Sequence, residues 1–257
     1  MSALYHIGFG KDDLGESPPS IALLSGDPER TKLIAYSYLQ SVRSLSSNRG
    51  LNSYLGVLPN NRTLLCATSG MGAPSLSIVV NELVQVGIKQ IIRVGTCGSI
   101  QEYLFVGDIA INNAALCRQG TANDIAPIEY PAAADPFVTV TLVNAARALG
   151  VKYHVGVAAS VDTFYEGQER TNSANPYLLR SLQGITEEYR RLNILNYEME
   201  CGTLFKMASV YGIRAGCVCA VVAQRTVREE VIVAKKGAAI DNAIKVAVEA
   251  AALWVEP

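Results

Sequence analysis

Short apolar runs alternate along this chain with longer stretches whose apolar positions recur at helical spacing. The first run, Ser20 to Leu24, stops at Gly26-Asp27-Pro28. There an N-cap oxygen followed by proline predicts a helix through "ERTKLIAYSYL". "NSYLGVL" and "TLLCATSG" read as two strands, joined by a hairpin at Pro59-Asn60-Asn61-Arg62. Gly70-Met71-Gly72-Ala73-Pro74 opens the helix "SLSIVVNELVQVG", which Gly87 closes. "KQIIRVGTCGS" predicts a buried strand running into a glycine-rich turn, and "VGDIAINNAAL" a further strand. Asp135-Pro136 starts a second Asp-Pro helix, "DPFVTVTLVNAARALG", and "YHVGVAAS" is again a strand. "NYEMECGTLFKMASVYG" reads as a helix ended by Gly212, "IRAGCVCAVVA" as a last buried strand, and "AIDNAIKVAVEAAALWV" as a closing amphipathic helix.

Strands that look buried on both faces, alternating with helices, indicate an α/β protein with a parallel or mixed sheet covered on both sides. No Pro/Gly/Ser linker or internal repeat divides the chain, so residues 1–257 are expected to form one domain. A formal net charge of −1 without any dense Lys/Arg run argues against nucleic acid or an anionic membrane as partner. The six cysteines form no CxxC pair, and only His6 and His154 are available beside them. They read as reduced core thiols rather than a zinc site. Cys97, beside the expected turn, would be open to oxidation if exposed. The start "MSALYHIGFGKDD" lacks the pattern of a signal peptide, and no apolar stretch has transmembrane length. A soluble, cytoplasmic protein is expected.

In such sheets ligands bind beyond the carboxyl ends of strands. The polar residues placed there are Gly26, Asp27 and Arg30; Arg93 and Thr96; Phe164, Gln168 and Arg170; Glu198, Met199 and Glu200; Gln224 and Arg225. There is no Walker-type loop, and the GxG at Gly70 to Gly72 lacks the third glycine of a dinucleotide fingerprint. Arg30 lies one turn into the Asp27 helix, while Arg93 interrupts the apolar run "IIRVG". Taken singly, a surface arginine is usually an ion-pair partner. An unpaired charge inside a strand, however, costs several kcal/mol, so Arg93 requires an anion. Arginine forks, backbone N–H groups and the Thr96 hydroxyl together describe a small-anion site. Glu198 and Glu200 have two readings: carboxylates favoured by a helix N-terminus, or a clamp accepting from vicinal hydroxyls. Periodicity does not separate these.

"GDPER", "IIRVGTCGSI", "GVAASVDTFYEGQER", "NYEMECGTL" and "VAQRT", in this order and spacing, closely resemble the uridine phosphorylases, a branch of the hexameric nucleoside phosphorylase family. The resemblance covers essentially the whole chain. It implies a single three-layer α/β/α domain with a central mixed, partly barrel-like sheet. The implied reaction is reversible phosphorolysis of uridine to uracil and ribose 1-phosphate. It implies a phosphate site of Gly26, Arg30, Arg93 and Thr96, completed by Arg49 from a neighbouring subunit. His6 crosses the same interface to the ribose, which Glu198, Met199 and Glu200 also bind. Phe164, Gln168, Arg170 and Arg225 hold the uracil, and Arg30, Arg93, Gln168, Arg170 and Arg225 carry the catalysis. The segment Val227–Gly237 would cover the base.

The resemblance further implies a homohexamer, a trimer of dimers with shared sites, and no metal or organic cofactor. One position departs from the pattern. The bacterial enzymes have a glutamate after the arginine matching Arg49, as part of a monovalent-cation (K⁺) site; here Gly50 stands there. A purine enzyme would need an acid near purine N7, and Ala223-Gln224-Arg225-Thr226 offers none. Three alternatives are a phosphorylase of broader pyrimidine or purine specificity, a nucleosidase using water, and a non-catalytic nucleoside-binding homologue.

Overall fold

Both helix starts marked by Asp-Pro form as the sequence predicts. Asp27 accepts a hydrogen bond from the Glu29 N–H at 2.9 Å, and Asp135 from those of Phe137 and Val138 at 2.9 and 3.0 Å. Such a cap is worth about 1 kcal/mol. The computed structural model describes residues 2–226, 229–230 and 233–254. Its elements run β1 (Ile21–Ser25), α1 (Pro28–Tyr38), β2 (Gln40–Ser46), β3 (Ser53–Val57), β4 (Thr63–Thr68), α2 (Ala73–Gln85), β5 (Gln90–Ser99), β6 (Ile109–Arg118) and α3 (Gly120–Ile125). They continue with α4 (Pro136–Ala148), β7 (Tyr153–Val161), α5 (Ile185–Arg191), β8 (Asn196–Glu198), α6 (Cys201–Tyr211), β9 (Arg214–Arg225), β10 (Glu229–Glu230) and α7 (Val233–Leu253).

The strands make one mixed sheet in the order β10-β9-β6-β7-β8-β5-β1-β4-β3-β2, and β9 also pairs with β5. That extra pairing closes β5, β9, β6, β7 and β8 into a five-strand ring, from which β1, β4, β3 and β2 extend as an open wing. Strand β5 belongs to both parts. Its alternate residues feed different cores: Ile91 packs with α2 and α6, and Ile92 with α1, α4 and α7. β9 does the same, with Cys217 and Cys219 on one side and Val218 and Ala220 on the other. Burial on both faces is why these strands read as unbroken apolar runs. A third cluster of Ile100, Ala159, Val161, Ile185, Tyr189, Ile194 and Tyr197 seats α5 against the ring.

Two expectations change. The glycines after Arg93 do not turn the chain: β5 continues to Ser99, with a bulge between Cys97 and Gly98 in its pairing to β9. Pairing with β9, and with β8 at Gly98 and Ser99, satisfies backbone groups that a turn would have to satisfy elsewhere. Residues 196–198 are not helical either. They form β8, which bridges β7 and β5 and so closes the ring, and the helix starts only at Cys201. Gly212 ends α6 in the left-handed region at φ 67°, its N–H donating to the Ala208 and Ser209 carbonyls. β2, α3 and α5 are elements the sequence does not announce. β2 is mostly exposed, and its burial shows no alternation.

Candidate active site

At the end of β1 the backbone of Gly26 passes so close to Gly70 that a Cβ there would lie 3.1 Å from its carbonyl oxygen. Arg30, on the first turn of α1, reaches back over this point. Its Nη1 donates to the Ser25 hydroxyl and the Val94 carbonyl, each at 3.3 Å, and Asp27 lies 3.8 Å from Nη2. Arg93, buried on β5, donates from Nε to Glu198 at 3.3 Å and from Nη2 to Glu200. Burial opposes the Arg93 charge, but Glu200 and Glu198 outweigh it and hold the guanidinium firmly protonated. Burial lowers the Arg30 pKa; Asp27 opposes this, and the neighbouring Arg93 charge lowers it further. Arg30 Nε and Arg93 Nη1 are buried and have no hydrogen-bond partner among the described residues. Leaving such a donor unsatisfied costs about 1–3 kcal/mol, so a ligand with acceptor oxygens for both is what this corner favours.

Gly95, which the sequence places only in an expected turn, decides whether the Arg93 fork fits. A Cβ there would lie 2.9 Å from Cys219 Sγ, 3.0 Å from Arg93 Nη2 and 3.1 Å from Arg93 Cζ. Gly95→Ala is therefore expected to displace the guanidinium, with an overpacking cost of about 1–3 kcal/mol. The KM for the anionic substrate should rise about tenfold or more while the protein still folds; an unchanged KM would contradict this geometry. Thr96 is half-buried and remains within β5, three positions after Arg93.

Glu198 is the last residue of β8, not a first-turn residue of the helix. Its Oε2 accepts from the backbone N–H groups of Glu200 and Cys201 at 2.9 and 2.8 Å, and its Oε1 from the Ser160 hydroxyl. It therefore caps α6 with its side chain from outside the helix. Burial pushes the Glu198 carboxyl up, Arg93 pulls it back, and the Glu200 charge adds to the rise. Glu200 accepts from the Gly72 N–H at 2.7 Å as well as from Arg93. Met199 between them is half-buried, and its carbonyl accepts from Gln119 Nε2 at 2.5 Å. Gln119 Oε1 accepts in turn from the Thr203 N–H and hydroxyl, both at 2.9 Å. Neither Ser160 nor Gln119 stands out in the sequence, since each acts on a residue far along the chain.

Beyond β7 the loop "VDTFYEGQER" folds back on itself. Gly167 N–H donates to Thr163 Oγ1 at 2.7 Å, and a Cβ on Gly167 would meet that oxygen at 2.9 Å. Gln168 and Arg170 are both buried. Arg170 Nη1 donates to the Phe164 carbonyl at 3.0 Å and to the Gln168 side-chain oxygen, and its guanidinium stacks 3.9 Å from the Phe164 ring centroid. Arg225, at the end of β9, donates to the Gln168 carbonyl at 2.6 Å. Its aliphatic stem lies across β5, 3.3 Å from where a Gly98 Cβ would be. The structure thus brings Phe164, Gln168, Arg170 and Arg225 together in one set of contacts. Arg30, Arg93, Glu198 and Glu200 gather beside β5.

His6 and Arg49 form a separate cluster. Arg49, at φ 55°, donates to the Tyr5 hydroxyl at 2.9 Å, and Asn48 Nδ2 donates to the Tyr5 and His6 carbonyls at 2.9 Å each. Glu82 holds His6, accepting from the Ile7 N–H at 2.8 Å and lying 2.6 Å from His6 Nδ1. Burial would raise the Glu82 pKa, but the Ile7 and His6 donors outweigh it and bring it below its ordinary value of 4.5. A carboxyl lowered on folding stabilises the fold fully above its unfolded value and stops doing so as pH falls through the folded one. Hydrogen exchange of residues 2–10 should therefore lose protection only below about pH 4.5, while Glu82→Gln, which keeps one acceptor oxygen but cannot titrate, should show weaker protection that no longer changes across that range. The same acid profile in both proteins would contradict this anchor.

Cys97 is buried rather than open to oxidation, and burial pushes its thiol up. Hydrogen bonds from Cys217 and Cys97, aided by the Arg93 and Arg30 charges, hold Cys219 below the ordinary thiol range. Among the described residues no His, Cys, Asp or Glu cluster is arranged to hold a metal, and no helix is long and apolar enough to cross a membrane. Of the expected cover over the base, Val227, Arg228, Val231 and Ile232 lie outside the described residues.

The phosphorylase superfamily model matches residues 20–255, a span containing every element of the ring and the wing. The chain belongs to the phosphorylase superfamily. Among curated members of this superfamily, uridine phosphorylase of Haemophilus influenzae is 41% identical over 229 residues, 89% of each chain. Uridine phosphorylases of Salmonella typhimurium and Escherichia coli are 40% and 39% identical over 250 residues, 97% of each chain. The mixed sheet with its closed five-strand ring and surrounding helices agrees with the phosphorylase fold.

Proposed function

We propose that this chain is a uridine phosphorylase, exchanging the bond from uracil to ribose C1′ for a bond from phosphate to C1′, reversibly. The observation that carries the reading is the buried pair Arg30 and Arg93, each with an unpartnered donor, with Arg93 held by the Glu198 and Glu200 carboxylates. The relatives' activities agree with it. Phosphate is held by the Gly26 backbone, Arg30, Arg93 and Thr96. Glu200 accepts from the ribose hydroxyls, with Met199 packing beneath. Glu198 holds Arg93 and caps the helix behind it. Gln168, fixed by Arg170, reads the uracil polar edge, Phe164 covers the ring, and Arg225 adds positive charge. As the glycosidic bond breaks, the sugar becomes cationic and uracil anionic. Phosphate on one side and Gln168, Arg170 and Arg225 on the other then bind the transition state more strongly than the substrate.

Arg225 rather than an acid at the base favours an anionic pyrimidine leaving group over a purine. Arg30, Arg93 and, from a neighbouring subunit, Arg49 favour phosphate over water as nucleophile. Uracil release from uridine, set beside base release from inosine and thymidine, tests the assignment. Uridine is expected to be the best of the three, and preference for inosine would overturn the assignment.

Among the described residues the His6 and Arg49 cluster shares no hydrogen bond or ion pair with Arg93, as expected of a homohexamer in which each such cluster completes a neighbour's site; a cytoplasmic location belongs to the same proposal. Inactive Arg49→Ala and Arg93→Ala subunits, mixed after dissociation, are then expected to regain about a quarter of the wild-type rate in a dimer of random composition. No regain over either parent would remove the shared site. The monovalent-cation site of the bacterial enzymes is not matched here. Gly50, at φ 76°, offers no ligand side chain, and the Ser75 hydroxyl donates to the Ser69 carbonyl at 2.6 Å. Activity is expected without added K⁺, and no metal or organic cofactor enters the reaction.

A further inference from the structure

Glu169 stands between two base-reading residues, Gln168 and Arg170, yet turns away from them. It sits in the left-handed region at φ 53°, unusual for a residue with a side chain. Both of its carboxylate oxygens are engaged at the start of α5, accepting from the Gly184 N–H and from the Thr186 N–H, the latter at 2.8 Å. At its other end α5 presents Arg190, which donates from Nε to the Ile100 carbonyl at 3.0 Å and from Nη2 to the Thr226 carbonyl at 2.9 Å. Arg225, next to Thr226, donates to the Gln168 carbonyl. The contacts therefore close a circuit from Gln168 through Glu169, α5, Arg190 and Arg225 back to Gln168. A cleft of about 560 Å³ lies inside it, walled by Glu169, Arg170, Thr186, Arg190, Arg225 and Thr226.

We infer that Glu169 is a positioning residue for the pyrimidine-reading loop: by pinning the loop to α5 it fixes the backbone on which the Gln168 amide and the Arg170 fork are aimed. A left-handed residue is not held by its own preference, so an outside tether must fix it. Charge-assisted hydrogen bonds from two backbone donors supply that tether. The functional half of the inference rests on the uracil-reading role of Gln168; the structural half does not.

Two measurements test it. Hydrogen exchange in Glu169→Ala is expected to lose protection over residues 163–170, whatever the substrate; unchanged exchange there overturns the tether. In steady-state kinetics, Glu169→Ala should lower kcat/KM for uridine roughly 10- to 100-fold, the scale of a misplaced reading group. The phosphate KM should not change. Glu169→Gln keeps one acceptor oxygen, so its loss should be intermediate, and it serves if the alanine variant does not fold. In a Gln168→Ala background the same Glu169 substitution should cost clearly less than in the wild type, because the share of its effect that passes through Gln168 is already lost and only the share through Arg170 remains. Full additivity of the two losses, or a phosphate KM that rises with the uridine KM, overturns the inference. Failure of the wild-type protein to release uracil would instead remove the pyrimidine reading, with the exchange result still deciding the tether.

Discussion

Arg93→Ala is expected to lower kcat/KM for uridine phosphorolysis by about 10²–10³, the loss typical of a transition-state donor removed from a desolvated site. It should also destabilise the protein. Arg93 is the partner of two buried carboxylates, Glu198 and Glu200. Removing one member of a buried ion pair costs about 3–5 kcal/mol, because the charges left behind are unpaired. The two effects separate experimentally. Phosphate KM and kcat report the first, and a thermal midpoint without ligand reports the second. Arg93→Lys would keep the charge but lose the fork that spans Glu198 and Glu200. It should recover much of the stability and little of the activity. An Arg93→Ala protein with wild-type phosphate KM would show that the guanidinium serves only the carboxylates.

Arg170→Ala is expected to cost about 10² in kcat/KM for uridine while leaving phosphate KM unchanged. Several contacts go at once, among them the stack on Phe164, the bond that fixes the Gln168 oxygen, and the tie to the Phe164 carbonyl. The stack alone is worth about 0.5–2 kcal/mol in a partly desolvated setting. The larger loss comes from Gln168. Its amide recognises uracil only if its oxygen and nitrogen keep a fixed sense, and Arg170 sets that sense. Arg170→Lys should therefore rescue poorly, since an ammonium makes no fork and stacks weakly on a ring. A lysine variant at wild-type activity would mean that charge alone matters there.

Much of this site was legible where the signal is local. Asp27-Pro28 and Asp135-Pro136 specify helix starts through atoms two or three residues apart, so the chain alone reveals them. Arg93 was legible as a charge in an apolar strand, because the cost of burying it demands an anion. That its partners are Glu198 and Glu200, more than a hundred residues on, was not. Ser160 and Gln119 were invisible for the same reason: a serine on a buried strand and a lone glutamine carry no mark of the distant groups they hold. The glycines after Arg93 misled, because glycine serves close approach as well as turns, and Gly95 is bare to admit the Arg93 fork and the Cys219 sulfur. β8 has three residues, too few for any period, and exists only because β5 and β7 flank it. The substrate class came from the family resemblance rather than from periodicity or charge.

In the proposed reaction phosphate, gripped by Arg30 and Arg93, is the nucleophile that releases uracil. Uracil release from uridine followed across a phosphate titration tests it most directly. The rate is expected to saturate with phosphate, to vanish without it, and to yield one ribose 1-phosphate per uracil. Uracil released at the same rate in phosphate-free buffer, with free ribose as the product, would contradict it.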